Sequence, residues 1–357
     1  MNILDRYVAK TVVLGTVMVL FILIALTAFF SFLGEVGRIG TGDYGLTDAI
    51  EYVLLSIPQQ AWEMFPVAAL IGTLVGLGGL ASGSELVAMR AAGISLLQLG
   101  RASVFGAVLL ALVALLLGDF VAPPAEQYAQ YRRAVAVYGE LSVAGGQGVW
   151  ARDGRTFVNV RQLSDGQRID GIYIFEFDDE GRLRRSAQAA AARYSADGWA
   201  LENVEETLID EDGVARTTSE AVRRWDTELS PDLLNLFVVD PGSLSALGLN
   251  RYVAYLNSNG LDSTRYEHAF WAKLVAPVSV IVMVLLALPF VTGSQRSGGA
   301  SRRLMFGLLI GVAFFMVNRV LGFSGAVFDL NPVVLAWLPT LVLASAALYA
   351  LTRSRAG

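Results

Sequence analysis

The chain has 357 residues, of which 54% are hydrophobic and only 17% charged, which excludes an ordinary soluble globule and places it in the membrane class. Cysteine is absent, so there is no disulfide frame and no thiolate metal centre, and the single histidine, His268, is too little for a histidine-built site. The net charge of −5 informs mainly through where the charges lie.

The first predicted element is Thr11 to Leu33, an uncharged apolar run longer than a signal-peptide core and with no small-residue cleavage site after it. It reads as a retained first span. The second span runs from about Tyr52 to Ala81 and contains Pro58, Glu63 and Pro66. Its segment "GTLVGLGGLASG" places Gly72 and Gly76 as GxxxG, with Gly79 extending the same small face, a pattern for close helix packing rather than a phosphate cradle.

"SGSELVAMRAAGIS", Ser82 to Ser95, follows as a helix too short to span and too polar for lipid. Ser82 and Glu85 match a capping box, and Gly93 is placed to stop the helix. Two readings stand. In one this is a tight connector whose Glu85 only caps. In the other it is a docking helix, its alanines lying close in a partner's groove with Leu86 and Met89 as anchors and Arg90 beside them. The third span runs from about Ala102 to Val121 and ends near Asp119.

Residues 123–268 differ in kind, with 15 Arg against 23 Asp plus Glu. "PPAEQYAQYRRAVAVYGEL" extends the third span as a helix. Alternating apolar and polar residues then run between the turn dipeptides Asp153-Gly154, Glu180-Gly181, Asp197-Gly198 and Asp212-Gly213, which predicts short antiparallel strands in a small sandwich or jelly roll. An amphipathic helix leads into the fourth span, Ala269 to Thr292. The fifth is Leu304 to about Phe323, broken by Arg319, and the sixth is about Val333 to Leu351.

The predicted fold is therefore a polytopic α-helical membrane protein with six transmembrane helices and an inserted β domain. It divides into residues 1–122 (spans one to three, with the short helix 82–95), 123–268 and 269–357. Arg6, Lys10, Arg90, Arg101, Arg296, Arg302, Arg303, Arg353 and Arg355 all fall on one side, whereas the opposite short loops hold only Arg38. Both termini and the short helix are expected to be cytoplasmic and the β domain outside, since long domains cross regardless of charge.

Lysine occurs only at Lys10 and Lys273, so no P-loop is possible, and no hydrolase triad or metal spacing appears. The chain is expected not to be an enzyme and to hold no cofactor. Glu63 and Arg319, charged within spans, either pair with each other or face a water-filled cavity, as a packing device or as part of a substrate path. Arg38, beyond the end of span one, and Arg132 and Arg133, beyond span three, are either solvated anchors or cations for a lipid phosphate.

Several stretches together resemble the lipopolysaccharide export permease family, LptF/LptG, and its LptG branch more than its LptF branch. They are "LDRYVAKT", "SELVAMRAAGIS", "GDFVAPPAEQYAQYRRA", "GVWARDGRTFVNV" and "LSALGLNRYVAYLNSNGLDSTRYEHAFWAKLVAPVSV". The resemblance covers the whole chain. It implies a periplasmic β-jellyroll and residence in the bacterial inner membrane. It implies pairing with LptF, with a cytoplasmic LptB dimer that binds the ATP, and with LptC, no nucleic acid being among the partners. The implied substrate is lipopolysaccharide, extracted from the membrane and passed to a periplasmic bridge. Glu85 matches the acidic residue of the family's ATPase-contacting helix. Arg38 and Arg133 match basic residues facing the lipid A region, while two further basic positions of the pattern are Ser31 and Gln130 here. Glu63 and Arg319 match no family role. The alternative class is a membrane-anchored receptor or assembly scaffold without transport. A lipoprotein-type permease is disfavoured, since its soluble domain follows the first span.

Overall fold

The computed structural model describes residues 3–138, 149–164, 168–178, 180–195, 198–210, 213–227, 241–292, 300–328 and 330–353. Asp197, Asp212, Arg296 and Arg355 lie outside the described residues, as do the side chains of Arg302 and Arg303.

Among the described residues, six helices are long and apolar enough to cross a membrane. They are α1 (Ile3–Val36), α2 (Leu46–Ser82), the rod made of α4 (Leu96–Leu116) and α5 (Ala122–Tyr138), α7 (Thr264–Thr292), α8 (Ala300–Phe328) and α9 (Pro332–Arg353). The short α3 (Glu85–Ala91) joins α2 to α4, and α6 (Ala246–Ser258) precedes α7. The two central helices are α2, which packs against α1, α5, α7 and α8, and α7, which packs against α4, α6 and α9. Their shared core includes Leu70, Leu74, Leu77, Val280, Met283 and Val284, all buried.

Small residues let α1 and α2 touch backbone to backbone. A Cβ at Gly76 would lie 2.7 Å from the Thr11 carbonyl oxygen, and one at Gly72 would overlap the Thr16 backbone. That bears out Gly72 and Gly76 as a packing face. Gly79 is a correction, because a Cβ there would meet nothing within 4 Å. Gly79 lies about two turns from Gly72 on the same face of α2, so the difference is that α1 does not come within contact distance at that level.

The rod from Leu96 to Tyr138 contains Pro123 and Pro124 without breaking, because a π turn at Leu117–Val121 absorbs them. The Ala122 N–H bonds back to the Leu117 carbonyl, five residues away. This leaves the Gly118 carbonyl without its usual α-helical donor, and Pro123, next in line, has no N–H to offer. The orphan is a predictable cost of the turn.

The described residues of the insertion form one six-stranded antiparallel sheet: β1 (Val149–Asp153), β2 (Thr156–Ser164), β3 (Arg168–Phe177), β4 (Leu183–Ser195), β5 (Gly198–Ile209) and β6 (Ala215–Trp225). The strands pair in chain order, so the described sheet is the antiparallel β domain expected, as a meander rather than with the Greek-key crossings of a jelly roll. Asp153-Gly154 does turn a hairpin, Gly154 taking the left-handed φ of +60° that a side chain disfavours. One face of the sheet alternates buried alanines, Ala187 and Ala189, with exposed neighbours. These small side chains leave room for α6, whose Tyr252, Tyr255 and Leu256 complete that core. The Tyr255 hydroxyl donates to the Arg152 carbonyl at 2.5 Å, and the Gly154 N–H donates to Asn259 Oδ1 at 2.7 Å, pinning helix to sheet.

Candidate functional site

Three places gather the charged residues singled out in the sequence. The first is at the β-domain end of the bundle, where α1, the loop after it, and α5 meet. Glu35 lies in the last turn of α1, where the helix dipole disfavours a carboxylate, and it is only 4% exposed. Three donors offset that cost. Arg38 Nη1 reaches Glu35 Oε1 at 2.6 Å, Arg133 Nη1 reaches the same oxygen at 3.2 Å, and the Tyr44 hydroxyl donates to Oε2 at 2.9 Å. Burial, and then the bond to Glu35, push the Tyr44 pKa above its ordinary value, so it remains a donor. The Arg133 guanidinium also lies over the Tyr52 ring, 4.5 Å from its centroid. The Asp43 N–H donates to the Ala136 carbonyl at 2.8 Å and fixes the loop against α5.

Arg38 and Arg133 are thus brought together. Arg132 is not, since it turns to Glu51 on α2, at 3.0 Å on the exposed surface. The sequence alone assigns Glu35 no role. The available signal was an acid in a helix's last turn with no base beside it in that turn.

The second place is a cavity of about 300 Å³ between α2, α7 and α8. Glu63 and Arg319 both line it, together with Trp62, His268, Lys273 and Asn318. Gln59 Nε2 donates to Glu63 Oε1 at 3.0 Å. Lys273, 8% exposed, supplies the donor that the π turn lacks: its Nζ lies 2.6 Å from the Gly118 carbonyl oxygen and 4.8 Å from the Trp62 ring centroid. The neighbouring Asp119 accepts from the Ala246 N–H at 2.6 Å and so caps the start of α6. Gln127 Nε2 reaches the Ser243 carbonyl at 2.9 Å. This junction ties the π turn to the segment that leads out of the β domain. Neither Lys273 nor Asp119 was assigned a task from sequence.

The third place is α3, at the opposite end. It carries no capping box. α2 continues through Ser82, whose hydroxyl donates back to the Gly79 carbonyl at 2.9 Å, and Ser84 occupies the N-cap position without a side-chain bond. Glu85 is exposed, and Glu85 Oε2 accepts from the Tyr7 hydroxyl at 2.7 Å. Gly93 does end the helix: at φ +87° it lets the Ile94 N–H reach the Met89 carbonyl at 3.1 Å. Leu86, 5% exposed, packs into the chain's own core, whereas Val87 is 54% exposed and Met89 and Arg90 reach the surface. The most exposed large apolar side chain of α3 is therefore Val87, to which the sequence alone assigns no role.

A family model described as "Lipopolysaccharide export system permease LptF/LptG" matches residues 6–353. The chain is 37% identical to lipopolysaccharide export system permease protein LptG of Haemophilus influenzae over 356 residues, 99% of each chain. It is 36% identical to LptG of Escherichia coli K12 over 341 residues, 95% of each. To LptF of Escherichia coli K12 it is 22% identical over 355 residues, 95% of this chain and 92% of that one.

Proposed function

The chain belongs to the LptF/LptG family of lipopolysaccharide export permeases, and we propose that it is the LptG-type half of a transporter driven by a separate ATPase. It is a multi-pass permease subunit for lipopolysaccharide export, a transporter rather than an enzyme. The observation that carries this is the length of the match, which spans all six helices and the inserted sheet together. In this proposal it sits in the bacterial inner membrane, extracts lipopolysaccharide from it and passes it to a periplasmic bridge. An LptF-type subunit completes the substrate cavity, an LptB-type dimer binds the ATP, and an LptC-type protein continues the path. The one-sided distribution of basic short-loop residues supports cytoplasmic termini and a periplasmic β domain.

Glu85 is the proposed contact with the ATPase. Its exposed position on α3 supports this, and the Tyr7 hydroxyl occupies only one of its oxygens. Val87 and Met89 supply the apolar part of that surface. Substituting Glu85→Lys should lower ATPase co-purification and ATP-driven lipopolysaccharide release by about ten-fold or more, as reversal of one partner in an interfacial charge pair does. If association and release both match the wild type, the docking role of Glu85 is wrong.

Arg38 and Arg133 are the proposed contacts for headgroup phosphate. They stand where α1 and the α4–α5 rod leave the apolar level, and guanidinium forks suit phosphate geometry. The double substitution Arg38→Ala/Arg133→Ala should reduce lipopolysaccharide retained by the purified complex by about ten-fold, the worth of one or two charge-assisted hydrogen bonds. Undiminished retention would reduce both to membrane anchors.

A further inference from the structure

We propose that Glu35 is the positioning residue of the headgroup site, holding Arg38 and Arg133 side by side as a two-arginine clamp for a phosphate on the exported lipid. The inference rests on the reading of the two arginines given above and names what makes them act together. Arg38 comes from the loop after α1 and Arg133 from α5, 98 residues beyond Glu35. Two guanidiniums on separate elements repel each other and have no reason to converge. They do so because both donate to one carboxylate oxygen, Glu35 Oε1.

The remaining geometry leaves the pair usable. A guanidinium has five N–H donors, and the bond to Glu35 takes one from each, so a fork remains on both. The Arg38 side chain is 52% exposed and that of Arg133 29%, against 5% for Glu35. The acid is therefore behind and the cations in front. Two positive charges against one negative leave a net attraction for an anion. Tyr44, on the other carboxylate oxygen, fixes the acid's orientation. With the arginines held in place beforehand, a phosphate does not have to order two long side chains as it binds.

The test uses the complete transporter, purified with its partner permease and ATPase, and reads lipopolysaccharide retained per complex. Glu35→Gln should lower retention by about ten-fold, because it removes the charge that gathers both arginines. In the Arg38→Ala/Arg133→Ala background the same substitution should change retention by less than about two-fold, since its effect passes through those residues. Tyr44→Phe removes the other Glu35 bond without touching either arginine. It serves as the measure of a merely structural role, and it should fall clearly short of Glu35→Gln while assembly of the complex stays at the wild-type level. Glu35→Asp should recover part of the loss.

Retention unchanged by Glu35→Gln but lowered by the double arginine substitution would overturn the positioning role and leave the phosphate reading standing. Retention unchanged by the double substitution would overturn both. A loss with Tyr44→Phe as large as that with Glu35→Gln would assign Glu35 to loop structure alone. Phosphatidylglycerol retention, read in parallel, should change by less than about two-fold; if it follows lipopolysaccharide, the clamp serves bulk phospholipid and the proposal falls.

Discussion

Gly72→Val should prevent α1 from seating on α2 and sharply lower the yield of assembled protein. The reason is the absence of slack at the crossing. Added Cβ atoms at Gly72 and Gly76 lie nearest to backbone atoms of Thr16 and Thr11, which cannot swing aside as the end of a flexible side chain could. The reciprocal position is as tight, since a Cβ at Gly15 would overlap the Gly72 carbonyl. Within a bilayer no hydrophobic force drives helix against helix, so close van der Waals contact is most of what holds the pair. Forcing a branched side chain into such a seam costs about 1–3 kcal/mol or more.

The consequence reaches both ends of α1. At one end Glu35 gathers the arginines, and at the other Tyr7 holds Glu85 and Asp5 meets Arg101 at 3.4 Å. Gly79→Val is the internal comparison. It lies on the same helix and adds the same bulk, but no atom stands within 4 Å of its added Cβ. Assembly yield and melting temperature of the complex should fall for Gly72→Val and stay near wild type for Gly79→Val. If the two variants behave alike, the α1–α2 crossing is not where it is placed here.

That comparison also shows what a sequence can carry. Gly72, Gly76 and Gly79 share one motif and one face, and only how closely α1 runs past α2 at each level separates the two that touch from the one that does not. The spans were readable because lipid imposes a length and an apolarity on any helix that crosses it. The hairpin at Asp153-Gly154 was readable because a left-handed residue in a two-residue turn selects glycine locally. The capping box at Ser82 failed for a related reason: the motif is local, but where α2 ends is decided by packing, and α2 runs on through Ser82.

The candidate sites were half readable. Single charges such as Arg38, Arg133 and Glu85 stood out by type and position. Their partners did not, because Glu35 meets Arg133 across 98 residues and Lys273 meets Gly118 across 155. Nothing local in "GDFVAPP" announces a free carbonyl, although the two prolines deprive the turn of donors and so imply that one exists.

Lys273 gives the second large effect. Lys273→Met keeps most of the side-chain volume and removes the donor to Gly118. A buried carbonyl left without a partner costs about 1–3 kcal/mol, and the contact with the Trp62 ring is lost as well. Lys273→Glu should be worse, because it removes the buried ammonium and sets a new carboxylate near Asp119 and Glu63 in its place.

The damage should be felt where the rod, α2 and the exit from the β domain join. Asp119 follows Gly118 within the same π turn and caps α6, so a turn that shifts to satisfy its carbonyl carries the cap with it. Amide hydrogen exchange read at Ala246 should therefore speed up in Lys273→Met before the spans themselves loosen, while Lys273→Glu should fail to assemble. Gly118→Ala approaches the same junction from the other side, since its Cβ would overlap the Trp62 indole. Should Lys273→Met protect Ala246 as well as the wild type does, the π turn does not depend on this ammonium, and packing of Trp62 against Gly118 must be what holds the junction.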